Sequence, residues 1–349
     1  MNLVQAEETQ HPNLTEKIRK VRTKNSTRYI SSGKKLIILS ILVILAIILY
    51  MTIDVKFHNP KLFRYSMKIR APKVITMIIV ATCIGGASMV FQSIINNTIV
   101  TPCLLGMNSL YSLIHTFVVF VFGSTSLFAR NTRLAFGLDL VLMGVIATMI
   151  YGSLFKKTKY NILYVMLIGT VLSSFFGSIQ STMIRVMDPN EYDALLSSLV
   201  ASFSNMNTDI ILISILLIAA VVIFLRKELA LLDVITLGKN QAINLGVDYN
   251  RTIRKLLLGV VLLIAIATAL VGPISFLGLI IANLARQMLK TYRHSHLIMG
   301  AALIGVIALI GGQIIVEHVV IYAVPLGVFI TVSGGIYFLY LLLKQRRSA

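Results

Sequence analysis

From Val74 to Ala129 the sequence contains no Lys, Arg, Asp or Glu. One membrane-spanning helix needs only about 20 apolar residues, so this run alone holds two crossings. Leu256 to Ala285 is also free of charge, and at roughly 30 residues it is too long for a single crossing. Gly272-Pro273 supplies the break, because proline cannot continue a helical ladder and glycine accepts the turn. Only 13% of the 349 residues are charged and 57% are hydrophobic, whereas soluble domains carry about 25% charged residues. The chain therefore reads as an all-α polytopic membrane protein.

Ten transmembrane helices are expected. They fall at Leu36–Ile53, Val74–Ile95, Leu104–Phe122, Leu134–Phe155, Ile162–Ile184, Ile210–Leu225, Leu256–Val271, Phe276–Leu289, Leu297–Val316 and Val324–Leu343. Residues 1–35 form a polar, basic tail. The first apolar run ends in Tyr-Met-Thr-Ile-Asp instead of a small-residue cleavage site, so it reads as a retained anchor and not a signal peptide. Residues 36–344 make one membrane domain, and 345–349 a short end. The formal charge of +19 would point to nucleic acid in a soluble chain. With ten spans and a cytoplasmic N-terminus, however, 23 of the 32 Lys and Arg residues fall on the cytoplasmic side, as positive-inside topology requires. The charge reports orientation in a cell membrane among lipid, with both termini inside, and no nucleic-acid partner is expected.

Catalytic motifs are absent. Ser32-Gly33-Lys34-Lys35 lacks the upstream glycine and the hydroxyl of a phosphate-binding loop, and neither H-E-x-x-H nor C-x-x-C occurs. His294 and His296 flank Ser295 in a basic loop without further ligands, and His115 lies alone in a span. No metal and no cofactor is expected. Cys83 and Cys103 belong to separate apolar elements and read as core residues. Intramembrane ionisable groups are functional candidates by default. Asp139 comes nearest, with Arg185 and Glu317-His318 expected outside. A proton- or sodium-driven secondary transporter wants carboxylates at mid-depth, so that alternative is disfavoured and an external energy source is implied.

The longest segment between spans, 226–255, is amphipathic, with Leu237, Ala242, Leu245 and Val247 apolar among polar residues. Gly238 breaks it, and Gly246 supplies the left-handed residue that ends a short helix at about Lys239–Leu245. Two short cytoplasmic helices of this kind suit a groove in a partner; the alternative is a solvated loop lying on the headgroups.

Leu237-Gly238, Ala242 and Leu245-Gly246-Val247 resemble the coupling segment of the iron-siderophore and vitamin B12 permease family, the type II ABC importers. Other motifs follow in order: Arg70-Ala71-Pro72-Lys73, the pair Gly86-Ala87 with Gln92, then Asn96, Pro102 and Leu105-Gly106, and Ala201-Ser202. Gly272-Pro273-Ile274-Ser275-Phe276-Leu277-Gly278-Leu279 followed by Arg286 is the most specific match, and Pro325-Leu326-Gly327-Val328 with Gly334-Gly335-Ile336-Tyr337-Phe338 closes the set. The chain departs from the family pattern at Ala282-Asn283, where Pro-His is usual, and near Gly312. Asn283 to Arg286 and Gly311-Gly312-Gln313 resemble the branch serving catecholate or mixed catecholate-carboxylate ferric siderophores.

The resemblance implies a permease without its own ATPase. Its partners would be a second permease chain, identical or related, two ATP-binding subunits and an extracytoplasmic substrate-binding lipoprotein. Ferric siderophore would be the cargo, and haem, cobalamin or another chelate is the alternative in the same fold. Arg70, Lys73 and His318 would dock the binding protein, the alternative for the first two being interfacial snorkelling. Leu237, Gly238, Ala242, Leu245, Gly246 and Val247 would couple to the ATPase. Gly86, Ala87, Gly272, Pro273, Gly278, Pro325 and Gly327 would serve helix breaks and close packing.

Overall fold

The computed structural model describes residues 32–55, 59–126, 131–157, 162–203, 208–321 and 324–346. Residues 1–31 of the basic tail, Lys56, Arg130, Lys159 and residues 347–349 lie outside them. Within the described residues the long helices are α1 (Ser32–Thr52), α2 (Pro60–Ile95), α3 (Met107–Phe122), α4 (Thr132–Lys157) and α5 (Ile162–Val186). They continue with α6 (Pro189–Leu199), α7 (Thr208–Ala230), the short α8 (Leu232–Ile235) and α9 (Lys239–Asn244), and α10 (Tyr249–Val271). Then come α11 (Leu277–Leu289), α12 (His294–His318) and α13 (Leu326–Arg346). Seven of these are long and apolar enough to cross a membrane, and α3, α11 and α13 are shorter apolar helices.

The second helix differs most from expectation. Asp54–Lys73 reads as a charged loop in the sequence, yet α2 begins at Pro60 and runs for 36 residues, straight through Pro72. Its start is well specified: Asn59 caps it by accepting from the Lys61 N–H at 3.1 Å, and proline occupies the first helical position, where its missing N–H is no loss. Pro72 removes one ladder bond, and the helix continues because nearly every residue from Lys73 onward is buried against neighbours. α10 and α12 pack along this core helix, and α1 packs on α12. α3 lies against α5, and α10 against α4 and α7.

α6 has no counterpart among the expected spans, although its signals are in the sequence. Asp188 accepts from the Asn190 N–H at 2.8 Å, Pro189 occupies the first turn and Glu191 follows. Glu191 in turn accepts from the Ser124 N–H at 2.5 Å, tying α6 to the end of α3. The break at Gly272 is real: its φ is +92°, and an added Cβ would lie 3.1 Å from the Ala201 Cα. Gly327 approaches the same residue, with its own hypothetical Cβ 2.7 Å from the Ala201 Cβ. Ser202 N–H donates to Val271 O, and Gly327 N–H to Ala201 O. Pro273 and Pro325 flank these junctions, so three chain segments distant in sequence meet at Ala201.

Within the small-residue run of α2, neighbouring glycines have different surroundings. Gly86 has only Ile298 Cγ2 within reach, at 3.8 Å, whereas Gly85 faces the Ala301 backbone at 3.1 Å. Ala87 is fully buried. Gly278 brings α11 onto α2 so closely that an added Cβ would fall 2.0 Å from Ser88 Oγ.

Candidate functional site

Two polar sites stand at opposite ends of the bundle, and a third polar surface runs along α5. At the Tyr50 end, Glu317 Oε1 accepts from Tyr50 O–H at 2.9 Å, from Lys73 Nζ at 3.1 Å and from Gln313 Nε2 at 2.7 Å. The side chains of Lys73 and Glu317 are 8% and 7% exposed. The sequence expectation needs correction on both. Lys73 is not a surface cation but half of a buried ion pair, and Glu317-His318 are not a loop but the last turn of α12. The reason is helical geometry: α2 and α12 lie side by side, and burial of a charge is tolerable only when it is paired and hydrogen-bonded. Arg70 is half-buried. It donates to the carbonyls of Tyr50 and Ile53 at 2.7 and 2.6 Å and lies 5.5 Å from the Tyr50 ring centroid, so it ties off the end of α1. His318 pairs with Asp54 at 3.0 Å and remains partly exposed. Beside the Glu317 clamp, on the first turns of α2, Lys61, Arg64 and Lys68 are exposed; Arg133 and Arg185 are further exposed cations among the described residues.

The opposite end carries the segment between α7 and α10. Gly238, at φ +102°, separates α8 from α9. Gly246, at φ +82°, ends α9 in a complete Schellman turn: Val247 N–H donates to Ala242 O at 3.0 Å and Gly246 N–H to Ile243 O at 2.9 Å. Ala242 is buried, whereas Leu237, Ile243 and Leu245 are 54%, 50% and 63% exposed. Val247 is half-buried. α8 is anchored by Leu232 and Ile235, both buried. The helix predicted at Lys239–Leu245 thus occurs within one residue. Its apolar face is turned outward from the bundle, with Ala242 as the inner contact.

Two ionisable groups treated singly in the sequence meet in the bundle. His115 Nδ1 lies 2.9 Å from Asp139 Oδ2, and the Tyr111 ring stacks on His115 at 5.7 Å between centroids. The only sequence signal for this pair is that both sit at comparable positions in adjacent spans. Gln92 and Asn283, two motif residues far apart in sequence, both donate to Thr98 O, at 2.9 and 2.8 Å. Arg286 donates to Ser93 Oγ at 2.9 Å. The end of α2 and the turn after it are held to α11 in this way. Cys83 and Cys103 are buried thiols.

α5 is the least buried of the seven long apolar helices. Thr170, Ser174, Ser178, Ser181 and Thr182 form one exposed face, and each hydroxyl donates to a carbonyl of the preceding turn. The other side of the helix meets α3 through Ser109–Ser173 at 2.7 Å and Gln180–Thr116 at 3.2 Å. Exposed Leu167, Val171 and Phe175 lie among them, so the face is mixed, and small hydroxyl residues on an apolar helix let another helix approach closely.

Known proteins share this architecture. The family model described as the FecCD transport family matches residues 33–344. The petrobactin import system permease protein YclO of Bacillus subtilis is 40% identical over 292 residues, covering 84% of this chain and 93% of the relative. The petrobactin import system permease protein FatC of Bacillus anthracis is 34% identical over 282 residues, covering 80% and 79%. A solved structure described as an inward-facing metal-chelate type ABC transporter aligns with a TM-score of 0.75 at 21% identity, over 90% of this chain and all of that one. With a model match across almost the whole chain and an arrangement of apolar helices shared with a transporter, this multi-pass membrane protein belongs to the FecCD transport family.

Proposed function

We propose that the chain is the permease subunit of an ATP-driven, binding-protein-dependent importer of ferric siderophore, with ferric petrobactin as its cargo. The observation that carries the reading is the segment around α9. Six residues of helix are too few to be stable alone; this one is closed by Gly246 and presents Leu237, Ile243 and Leu245 to the outside. Exposed apolar residues on a rigid knob fit a groove in a partner, and the partners are two ATP-binding subunits that supply the hydrolysis this chain has no motif for. The petrobactin cargo follows from the two relatives at 40% and 34% identity.

In this reading the chain crosses the cell membrane ten times with both termini cytoplasmic, and the Tyr50 end faces out. The loaded substrate-binding lipoprotein docks there. Lys61, Arg64 and Lys68 present the exposed positive charge, Arg70 and His318 lie at its margin, and Lys73 supports the platform from below through Glu317. The hydroxyl face of α5 lines a path shared with a second permease chain, identical or related. ATP binding closes the ATPase pair, the α9 knob moves with it, and the permease passes between states that differ in their contacts with the chelate.

The test is ATP-driven uptake of ferric petrobactin in vesicles holding the whole importer, with ferric hydroxamate and haem as competing cargoes. Leu245→Arg combined with Gly246→Glu should leave the permease inserted and uptake at background. Undiminished uptake by that variant would overturn the coupling role, and transport of haem or hydroxamate in preference to petrobactin would overturn the cargo.

A further inference from the structure

Two polar contacts that hold the segment between α7 and α10 join different things. Lys255 Nζ donates to Glu228 Oε1 at 2.5 Å, which ties the end of α7 to the first turns of α10. Those are the two helices the segment itself connects, so this contact only closes the loop on its own stems. The second contact reaches a helix far along the chain. Asp233 in α8 accepts, on the single oxygen Oδ1, the backbone N–H of His294 at 2.9 Å and the ring Nδ1 of the same residue at 2.5 Å. An ionised carboxylate only accepts, so Nδ1 carries the hydrogen of that bond.

His294 is the first residue of α12, and its side chain is 8% exposed. Arg293, at the cap position, makes no side-chain cap bond. Asp233 therefore does from another element what a capping residue does within one: it satisfies a free N–H and sets negative charge at the positive end of the helix. Leu232 and Ile235 hold α8 by apolar burial against α2, but such packing is non-directional. The two bonds on one oxygen fix α8 to a single point of α12. From there α12 runs unbroken for 25 residues, roughly 37 Å at helical rise. It ends in the Glu317 clamp, where Tyr50 and Lys73 bind it to α1 and α2.

We propose that Asp233 and His294 form the link through which displacement of the α8–α9 segment is passed to α12 and, through that helix, to the Glu317 clamp at the opposite end. They are positioning residues and touch neither chelate nor nucleotide. The inference rests on the reading of 226–255 as the segment that meets the ATP-binding subunits.

The complete importer in vesicles tests it, with iron taken up per ATP hydrolysed as the readout and ferric petrobactin as the probe. A purely structural role would lower uptake and hydrolysis together with the amount of folded complex, leaving that ratio constant. Asp233→Ala should lower the ratio about fivefold or more, within the range of measured coupling effects. Asp233→Asn still accepts the His294 N–H and should retain about half of the wild-type ratio. Should Asp233→Ala fail to assemble, His294→Ala keeps the backbone bond and should lower the ratio measurably, by less than the roughly fivefold expected of losing both bonds. A wild-type ratio in the assembled variants would overturn the link. If the Leu245→Arg, Gly246→Glu importer also retained uptake, the coupling reading would fall with it; loss of uptake there beside a wild-type ratio in the Asp233 variant would overturn the link alone.

Discussion

Glu317 shows how a residue's neighbours decide its role. In the sequence it is one of 13 acidic residues, adjacent to an apolar run. In the fold one of its oxygens receives three donors from three side chains on α1, α2 and its own helix. Removing one partner from a buried pair leaves the other charge uncompensated, which typically costs about 3–5 kcal/mol. Glu317→Gln should therefore lower unfolding free energy in a mixed-detergent titration by about 3 kcal/mol. Adding Lys73→Met should restore most of it, because Gln still accepts from Tyr50 and Gln313 and no charge remains unpaired. A double variant no more stable than Glu317→Gln would show that the ion pair is not the source of the loss. The same geometry makes charge reversal at Lys73 a poor probe of docking, since a second carboxylate would be buried beside Glu317.

Among the elements, α2 and α11 show what small residues do here. Gly278 is a point of close approach between the two helices: an added methyl would meet Ser88 Oγ at 2.0 Å, Ser88 Cβ at 3.0 Å and Ile84 Cγ2 at 3.2 Å. The hydroxyl can rotate away, but the Cβ contact requires the helices to separate, and overpacking of this kind costs about 1–3 kcal/mol. Gly335 on α13 has open space around its Cα. Gly278→Ala should therefore destabilise the isolated subunit by about 2 kcal/mol. Gly335→Ala should leave it within about 1 kcal/mol of wild type, on the stabilising side, because alanine favours helix. Equal effects in the same titration would contradict the helix approach. The sequence made both glycines visible as members of motifs. It did not distinguish them, because which glycine faces a neighbour's backbone depends on helix rotation. Gly85 and Gly86 show this most directly, one step apart and with opposite surroundings.

At the scale of the whole molecule, the proposed path along the exposed hydroxyls of α5 is open to direct test. Ser174 and Ser178 point out of the bundle, and their hydroxyls are already bonded to their own helix. In the assembled importer, Ser174→Cys and Ser178→Cys should react with a membrane-impermeant thiol reagent at least about tenfold faster than Val141→Cys, which is exposed on the apolar face of α4. The two native cysteines are buried and give little background. Equal reactivity at all three positions would remove α5 from the path.

The sequence by itself determined the class of the molecule. Charge-free runs longer than one bilayer crossing admit only stacked apolar helices, because a backbone in lipid must satisfy its own hydrogen bonds. It also determined the turn chemistry: Gly238, Gly246 and Gly272 all adopt the positive φ that their positions required, since a left-handed residue is a local property of the chain. Tertiary structure alone decided which polar residues meet. The pairs Lys73–Glu317, Asp233–His294 and His115–Asp139 join residues 244, 61 and 24 positions apart. A polar side chain on one helix finds its partner on another through packing, and packing depends on rotation and register, which periodicity along one chain does not encode.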